Sequence, residues 1–342
     1  MKQTAWTILF FIGLGSVFAF TNGSGVTAGL QASISSNTRV SPFKYLHNQY
    51  VVSQQNSGSS APRESTQQQK KAFRQFPFEK QANTSEQTPP RISADAALVM
   101  DFESKQMLYE QKPYTKRNIA SLTKIMTGMT ILDSYTYGNR VELPMTRSAF
   151  EAYGGNYIRP QETLSVEELL HALLMASSND AAARLAEHFG GNNGAEQFVQ
   201  EMNQKAEKLG LYKTQFANSH GLNAEENKQH STAFDVMKLG KHMYTEYPTL
   251  NRILKVEETT LTTQEGREIP VKNINELLGK LNTESGKTGY TEEAGETFFT
   301  VAEVEGRTVG FVVLGSSIGS RFEDTRTLIE WTRSTYTKRS TL

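Results

Sequence analysis

Residues 287–315 read KTGYTEEAGETFFTVAEVEGRTVGFVVLG, and this stretch decides the fold. It holds three consecutive strands, KTGYT, ETFFTVAEVEG and RTVGFVVLG, parted by tight turns at Glu292 to Gly295 and Glu305 to Arg307. Turns this short join antiparallel neighbours. Far upstream, Ile92 to Gln111 alternates apolar and polar residues around Glu103-Ser104-Lys105, the pattern of a second hairpin. Helical periodicity fills the middle. Leu122, Ile125, Met126, Met129 and Leu132 share one face of a helix over Ala120 to Leu132. Ser165 with Glu168 forms a capping-box pattern ahead of LLHALLM. Asp180 is the expected cap of AAARLAEHF, which stops at Gly190-Gly191. Another helix runs from Ala195 to Leu209, with Phe198, Val199, Met202, Ala206 and Leu209 inward and Gly210 as its stop. Ser231 is expected to cap one more, through Met237 and Met243, and Phe322 to Thr335 closes the chain as a helix. Strands at both ends of a helical middle predict an α+β fold: an antiparallel sheet flanked by helices, an all-α lobe, and a cleft where the two meet.

The 342 residues suggest one large domain plus an extension, or two domains. Lys+Arg and Asp+Glu both number 36, so the net charge is zero and no field draws in nucleic acid. The absence of cysteine excludes disulfides, thiolate nucleophiles, Cys-ligated metals and an N-terminal lipid on cysteine. The six histidines form no His-Glu-x-x-His pair, so that route to a zinc hydrolase is closed. Lys2 precedes a short apolar run, Ala5 to Phe20, which reads as an export signal over residues 1–28, cleaved after Ala19 or Ala28. Residues 29–90 are rich in Ser, Gln, Asn, Thr and Gly, a composition that predicts a disordered linker, leaving 91–342 as the folded catalytic domain. Membrane contact is expected only if the N-terminal segment stays uncleaved.

Three short motifs carry the chemistry. Ser121-Leu122-Thr123-Lys124 opens the first long helix, where an i, i+3 pair shares a face and Lys124 reaches the Ser121 hydroxyl. Ser121 also sits at the helix N-terminus, where free N–H groups favour developing negative charge. Ser177-Ser178-Asn179 falls on the link between two predicted helices, placed to point a hydroxyl and an amide into a shared cleft. Lys287-Thr288-Gly289 opens a strand, offering a charge, a hydroxyl and a position where a substrate backbone can approach closely. Singly they mean little, for Ser41-Pro42-Phe43-Lys44 and Ser35-Ser36-Asn37 repeat two of them inside the linker. Their order and placement matter more: Ser121, Ser177 and Lys287 are separated by 56 and then 110 positions, each on a suitable element.

Together the motifs resemble those of the penicillin-binding-protein and serine β-lactamase superfamily. IASLTKIMT, MASSNDAA, AEKLGLYKTQFANSHGL, HSTAFDVMKLG and GKTGYTEEAG look like the D-alanyl-D-alanine carboxypeptidases of low molecular mass, over about Ile92 to Trp331. The resemblance implies a β-lactamase/transpeptidase-like fold, an acyl-enzyme on Ser121, and peptidoglycan stem peptides and β-lactams as ligands. No histidine lies near a motif in sequence, which leaves Lys124 as the base, its pKa lowered by desolvation and by a second cation, Lys287. Ser177 is then a proton relay and Asn179 orients the substrate amide. By resemblance Lys287 and Thr288 hold the carboxylate beside the scissile bond, and the backbone N–H groups of Ser121 and Tyr290, the residue after Gly289, form the oxyanion hole. No metal or organic cofactor is needed. His220, in the NSHGL stretch, is expected to be a hydrogen-bonded structural residue in preference to one that touches the cleft, His171 a core or boundary residue, and the methionines helix packing.

Endopeptidase action on cross-links is the nearest rival, since a cross-linked stem also sets a carboxylate beside a D,D amide. Many carboxypeptidases of the family carry a second β-rich domain and a C-terminal amphipathic anchor, and neither is expected here, with Leu342 soon after the last helix. A β-lactamase is less expected, because Ser178 stands where class A enzymes have Asp. A penicillin-binding sensor with idle catalytic residues is the rival from another class. The chain is expected to be exported to the periplasm or wall.

Overall fold

The computed structural model describes residues 88–151, 158–222 and 229–340, apart from the side chains of 151 and 338–340. The expected export signal, nearly all of the linker and both decoy motifs lie outside the described residues.

One sheet organises the fold. Strands β1 (Ala96–Asp101) and β2 (Met107–Gln111) form the upstream hairpin, and β7 (Thr283–Thr291), β8 (Gly295–Val304) and β9 (Arg307–Ser316) the downstream meander. β1 pairs with β9, closing the order β2-β1-β9-β8-β7 with every pairing antiparallel. β7, which carries Lys287, is therefore an edge strand. All six residues of β1 are buried, although they alternate faces. Leu98 and Met100 join the core beneath the helical lobe. Ala97 and Val99 join a second core with Leu328, Ile329 and Trp331 of the last helix. The sheet is covered on both faces, as expected of a layered α+β unit.

The lobe is built around α1 (Thr123–Ser134). Its first nine residues are buried, polar ones included, because it runs between sheet and lobe with neighbours all round. α2 (Arg147–Glu151), α3 (Val166–Met175), α4 (Asn179–Phe189), α5 (Gly194–Lys208), α6 (Ala233–Glu246) and α7 (Pro248–Leu254) complete the middle, and α8 (Arg321–Ser340) closes the chain. α3 begins with the expected capping box: the Glu168 N–H donates to Ser165 Oγ and the Ser165 N–H to the Glu168 carboxylate.

Two caps differ from expectation by one or two positions. Ser178, not Asp180, caps α4, accepting from the Ala181 N–H at 3.0 Å. Asp180 instead lies in the first turn, a place that suits a carboxylate because the helix end is positive there. Thr232, not Ser231, caps α6, because Ser231 is already paired backbone to backbone with Arg117. Val199 and Leu209, expected inward on α5, are only half-buried. Two small antiparallel ribbons had no counterpart in the reading: β3 (Glu142–Pro144) with β4 (Thr163–Ser165), and β5 (Glu258–Thr262) with β6 (Glu268–Lys272). Among the described residues no helix is long and apolar enough to cross a membrane.

Candidate active site

Ser121 lies on a single 3-10 turn, Ala120–Leu122, that leads into α1. Ala120 holds the left-handed region at φ 46, a costly conformation for a non-glycine residue and one that gathers at functional sites. Two glycines let neighbouring chain press against this turn. A Cβ on Gly289 of β7 would stand 2.8 Å from the Ser121 nitrogen, and one on Gly221 would stand 2.0 Å from the Ala120 carbonyl oxygen. Thr297 of β8 adds a hydrogen bond of 3.1 Å to the Ile119 carbonyl.

Lys124, one turn along, is fully buried, its Nζ 2.9 Å from Ser121 Oγ, 2.7 Å from Asn179 Oδ1 and 2.5 Å from the His220 carbonyl oxygen. Burial pushes its pKa well below the ordinary lysine value; the charge of Lys287 pushes the same way and Asp180 opposes. Ser177 bridges α3 and α4 with φ 60, a second non-glycine residue in the left-handed region. Its hydroxyl accepts from Lys287 Nζ at 2.8 Å. Lys287 is also fully buried, donates to the Thr288 carbonyl at 3.0 Å, and is lowered to about 7, first by burial and then by the Arg321 charge. Thr288 is buried, and its hydroxyl has no hydrogen-bond partner among the described residues, although buried hydroxyls are nearly always paired. Tyr290 lies further along the same edge strand, opposite Glu296 and 46 % exposed, at the rim.

All three motifs thus meet where the sheet edge faces the lobe. A continuous polar path runs from Lys287 to Ser177, and a second joins Ser121, Lys124 and Asn179. A buried amine beside a hydroxyl, with its charged form disfavoured, is an arrangement able to take a proton from serine. Among the described residues no group of three or more His, Asp or Glu is placed to hold a metal ion.

Three participants were invisible in the motifs. Arg321, at the start of α8, donates to the Gly289 carbonyl at 2.9 Å and to Glu296 at 2.6 Å, adding positive charge behind β7. Asp180 is buried, accepts from Ser178 and from the Ile158 N–H at 3.3 Å, and contributes a negative charge felt by Lys124. The third is His220, far from every motif in sequence, which the fold brings to Lys124 through its backbone carbonyl and not its ring. Its imidazole is held down to about 3 by burial and by the Lys124 charge, so it stays neutral and is a poor base. Its Nδ1 accepts from the Leu222 N–H at 3.1 Å, the structural bonding expected of it. The only sequence signal for this contact was the NSHGL stretch itself.

Comparison with known proteins points one way. The family model described as D-alanyl-D-alanine carboxypeptidase matches residues 82–317. The chain is 32 % identical over 262 residues to the D-alanyl-D-alanine carboxypeptidase DacD of Escherichia coli, covering 73 % of this chain and 65 % of that protein. It is 29 % identical to the D-alanyl-D-alanine endopeptidase of Escherichia coli, covering 74 % of this chain and 81 % of that one. The chain thus spans less than two thirds of the carboxypeptidase's length. Among solved structures, penicillin-binding protein D2 from Listeria monocytogenes in its ampicillin-bound form superposes with a TM-score of 0.61 at 31 % identity, over 72 % of this chain and 99 % of that one.

Proposed function

The chain belongs to the D-alanyl-D-alanine carboxypeptidase family, and from that premise we propose that it is a serine DD-peptidase that removes the terminal D-alanine from peptidoglycan stem peptides. The observation that carries this reading is the fully buried Lys124 amine 2.9 Å from Ser121 Oγ. The neutral amine takes the hydroxyl proton as Ser121 Oγ attacks the carbonyl carbon of the penultimate residue. The C–N bond then breaks, and the leaving amine collects a proton through Ser177, which sits against Lys287. D-alanine departs, an ester remains on Ser121, and water cleaves it to restore the serine. Asn179 orients the substrate amide. Lys287 and the Thr288 hydroxyl, which has no hydrogen-bond partner among the described residues, take the substrate carboxylate, a role suited to a buried cation beside a hydroxyl donor. The N–H groups of Ser121 and Tyr290 receive the oxyanion. One such donor is typically worth about 3 kcal/mol of barrier.

β-Lactams enter the same chemistry as acylating agents, a reading supported by the ampicillin-bound relative. The N-terminal 28 residues serve export and residues 29–90 act as a tether for a catalytic domain over 91–342, acting in the periplasm or wall. Cleavage of cross-links by the same site is the second reading, favoured by the larger share of the endopeptidase's length that the similarity covers. Incubation with benzylpenicillin followed by peptide mapping is expected to place one adduct on Ser121, and Ser121→Ala to abolish both the adduct and peptidase activity. An adduct elsewhere, or labelling of Ser121→Ala, overturns the assignment. A free pentapeptide stem and a cross-linked stem dimer, offered separately, distinguish the two peptidase readings.

A further inference from the structure

The three neighbours of the Lys124 amine are not alike. The His220 and Asn179 oxygens are carbonyl oxygens, which only accept, whereas the Ser121 hydroxyl can also donate. A neutral amine has two N–H groups and one lone pair. For a neutral amine one assignment sets no two electron pairs against each other: both N–H groups go to the carbonyls and the lone pair faces the Ser121 hydroxyl at 2.9 Å, nearer than that hydroxyl's other acceptor, the His220 carbonyl at 3.5 Å. Any rotation that aims the lone pair at a carbonyl sets two electron pairs against each other and turns an N–H on the nucleophile.

The His220 carbonyl is therefore an instrument of direction, and Asn218 makes more hydrogen bonds in the turn that presents it than any other side chain, beside His220 Nδ1, which accepts from the Leu222 N–H at 3.1 Å, and Gln229 Nε2, which donates to the Leu222 carbonyl at 3.3 Å. Asn218 Oδ1 accepts from the Gly221 N–H at 2.7 Å and the His220 N–H at 3.3 Å, while its Nδ2 donates to the Leu222 carbonyl at 2.9 Å. Ser219 moors the turn to the lobe independently: its carbonyl accepts from Thr127 Oγ1 at 2.6 Å, and its hydroxyl donates to the Ala182 carbonyl at 3.1 Å. Gly221, at φ +88, lets the turn lie directly against Ala120.

We propose that Asn218 is a positioning residue, whose hold on the 218–222 turn fixes the His220 carbonyl so that, with Asn179 Oδ1, it aims the Lys124 lone pair at Ser121. This rests on the assignment of Lys124 as the base, and it extends that assignment to a residue outside the three motifs.

The test is benzylpenicillin acylation of the full chain, with the binding constant and the first-order acylation constant measured separately for wild type and Asn218→Ala at about pH 7 and about pH 9. A misdirected base costs on the order of tenfold to a hundredfold in the acylation constant, with binding unchanged. The loss should persist at the higher pH. Raising pH supplies more neutral amine but does not aim it, and the groups facing Lys124, namely Lys287, Asp180 and the neutral His220 ring, are the same in both proteins. Asn218→Asp keeps the accepting oxygen and removes the donor to Leu222, so it serves if the alanine variant does not fold, with a smaller loss of the same kind. Acylation within about threefold of wild type, a loss that vanishes at the higher pH, or equal damage to binding overturns the proposal. A wild-type chain that forms no adduct overturns the peptidase reading along with it, whereas an adduct on wild type with an indifferent Asn218→Ala overturns this inference alone.

Discussion

At the scale of single residues, the site depends on two lysines held where lysine is least comfortable. Lys287 titrates at about 7, against an ordinary value near 10.4. A substrate carboxylate stabilises its charged form, so Lys287→Ala is expected to lower kcat/KM about tenfold or more for a substrate with a free terminal carboxylate and much less for its amidated analogue. Equal losses on the two substrates would remove Lys287 from that role. The same groups shape stability. The unfolded chain keeps both lysines protonated to about pH 10, while the native state releases the Lys287 proton near 7 and disfavours the charge on Lys124. Between those limits the unfolded state binds more protons, so stability rises with pH. Lys205, Lys238 and Lys241, also lowered first by burial, push the same way. Above about pH 10 the trend reverses, because Tyr135, Tyr247 and Tyr336 are raised by burial and by their carboxylate partners and keep their protons only when folded. Urea midpoints between pH 7 and 9 should climb, and a flat or falling series would contradict the buried lysines. Ser121, Lys124, Ser177, Asn179 and Lys287 were legible because each belongs to a short local pattern. Arg321, Asp180 and the His220 carbonyl were not: Arg321 meets β7 from 32 positions away, and a backbone carbonyl leaves no residue type to read.

At the scale of elements, what the sequence states locally is what survives into the structure. The capping box of Ser165 and Glu168 is found as read, and Ser165→Ala should cost about 1 kcal/mol, seen as a lower denaturant midpoint at unchanged slope. The three downstream strands could be read because their turns are short and their alternation is strong. The ribbons β3–β4 and β5–β6 could not. Glu258–Thr262 reads ETTLT with a single buried residue, and Glu268–Lys272 carries Pro270 between its two inward residues, Ile269 and Val271, so neither reads as a strand by itself. Their pairing is a property of tertiary context. The two displaced caps teach a smaller lesson: SSND and STAFD each set residues able to cap side by side, and at Ser231 the backbone pairing with Arg117 leaves the cap to Thr232. Gly289 marks a place where two elements approach closely. Gly289→Ala drives a methyl group toward the Ser121 nitrogen and Thr297 Oγ1, and is expected to cut penicillin acylation by about a hundredfold while the far-ultraviolet spectrum stays native. Wild-type acylation in that variant would show that the strand has room to retreat.

At the scale of the whole molecule, the architecture was legible and its interlocking was not. Strands from opposite ends of the folded part share one sheet, and the lobe between them supplies Ser121, Lys124, Ser177 and Asn179 to meet a lysine on the sheet edge. That meeting has a chemical corollary. A chain not yet folded carries the same serine and the same lysine, but water keeps the amine protonated, and a protonated amine takes no proton from anything. If Lys124 is the base as proposed, reactivity is a product of enclosure: it arrives when the two layers shut and departs when they part. On the proposed chemistry, the number of molecules that trap penicillin in a sample is expected to count the fully closed ones.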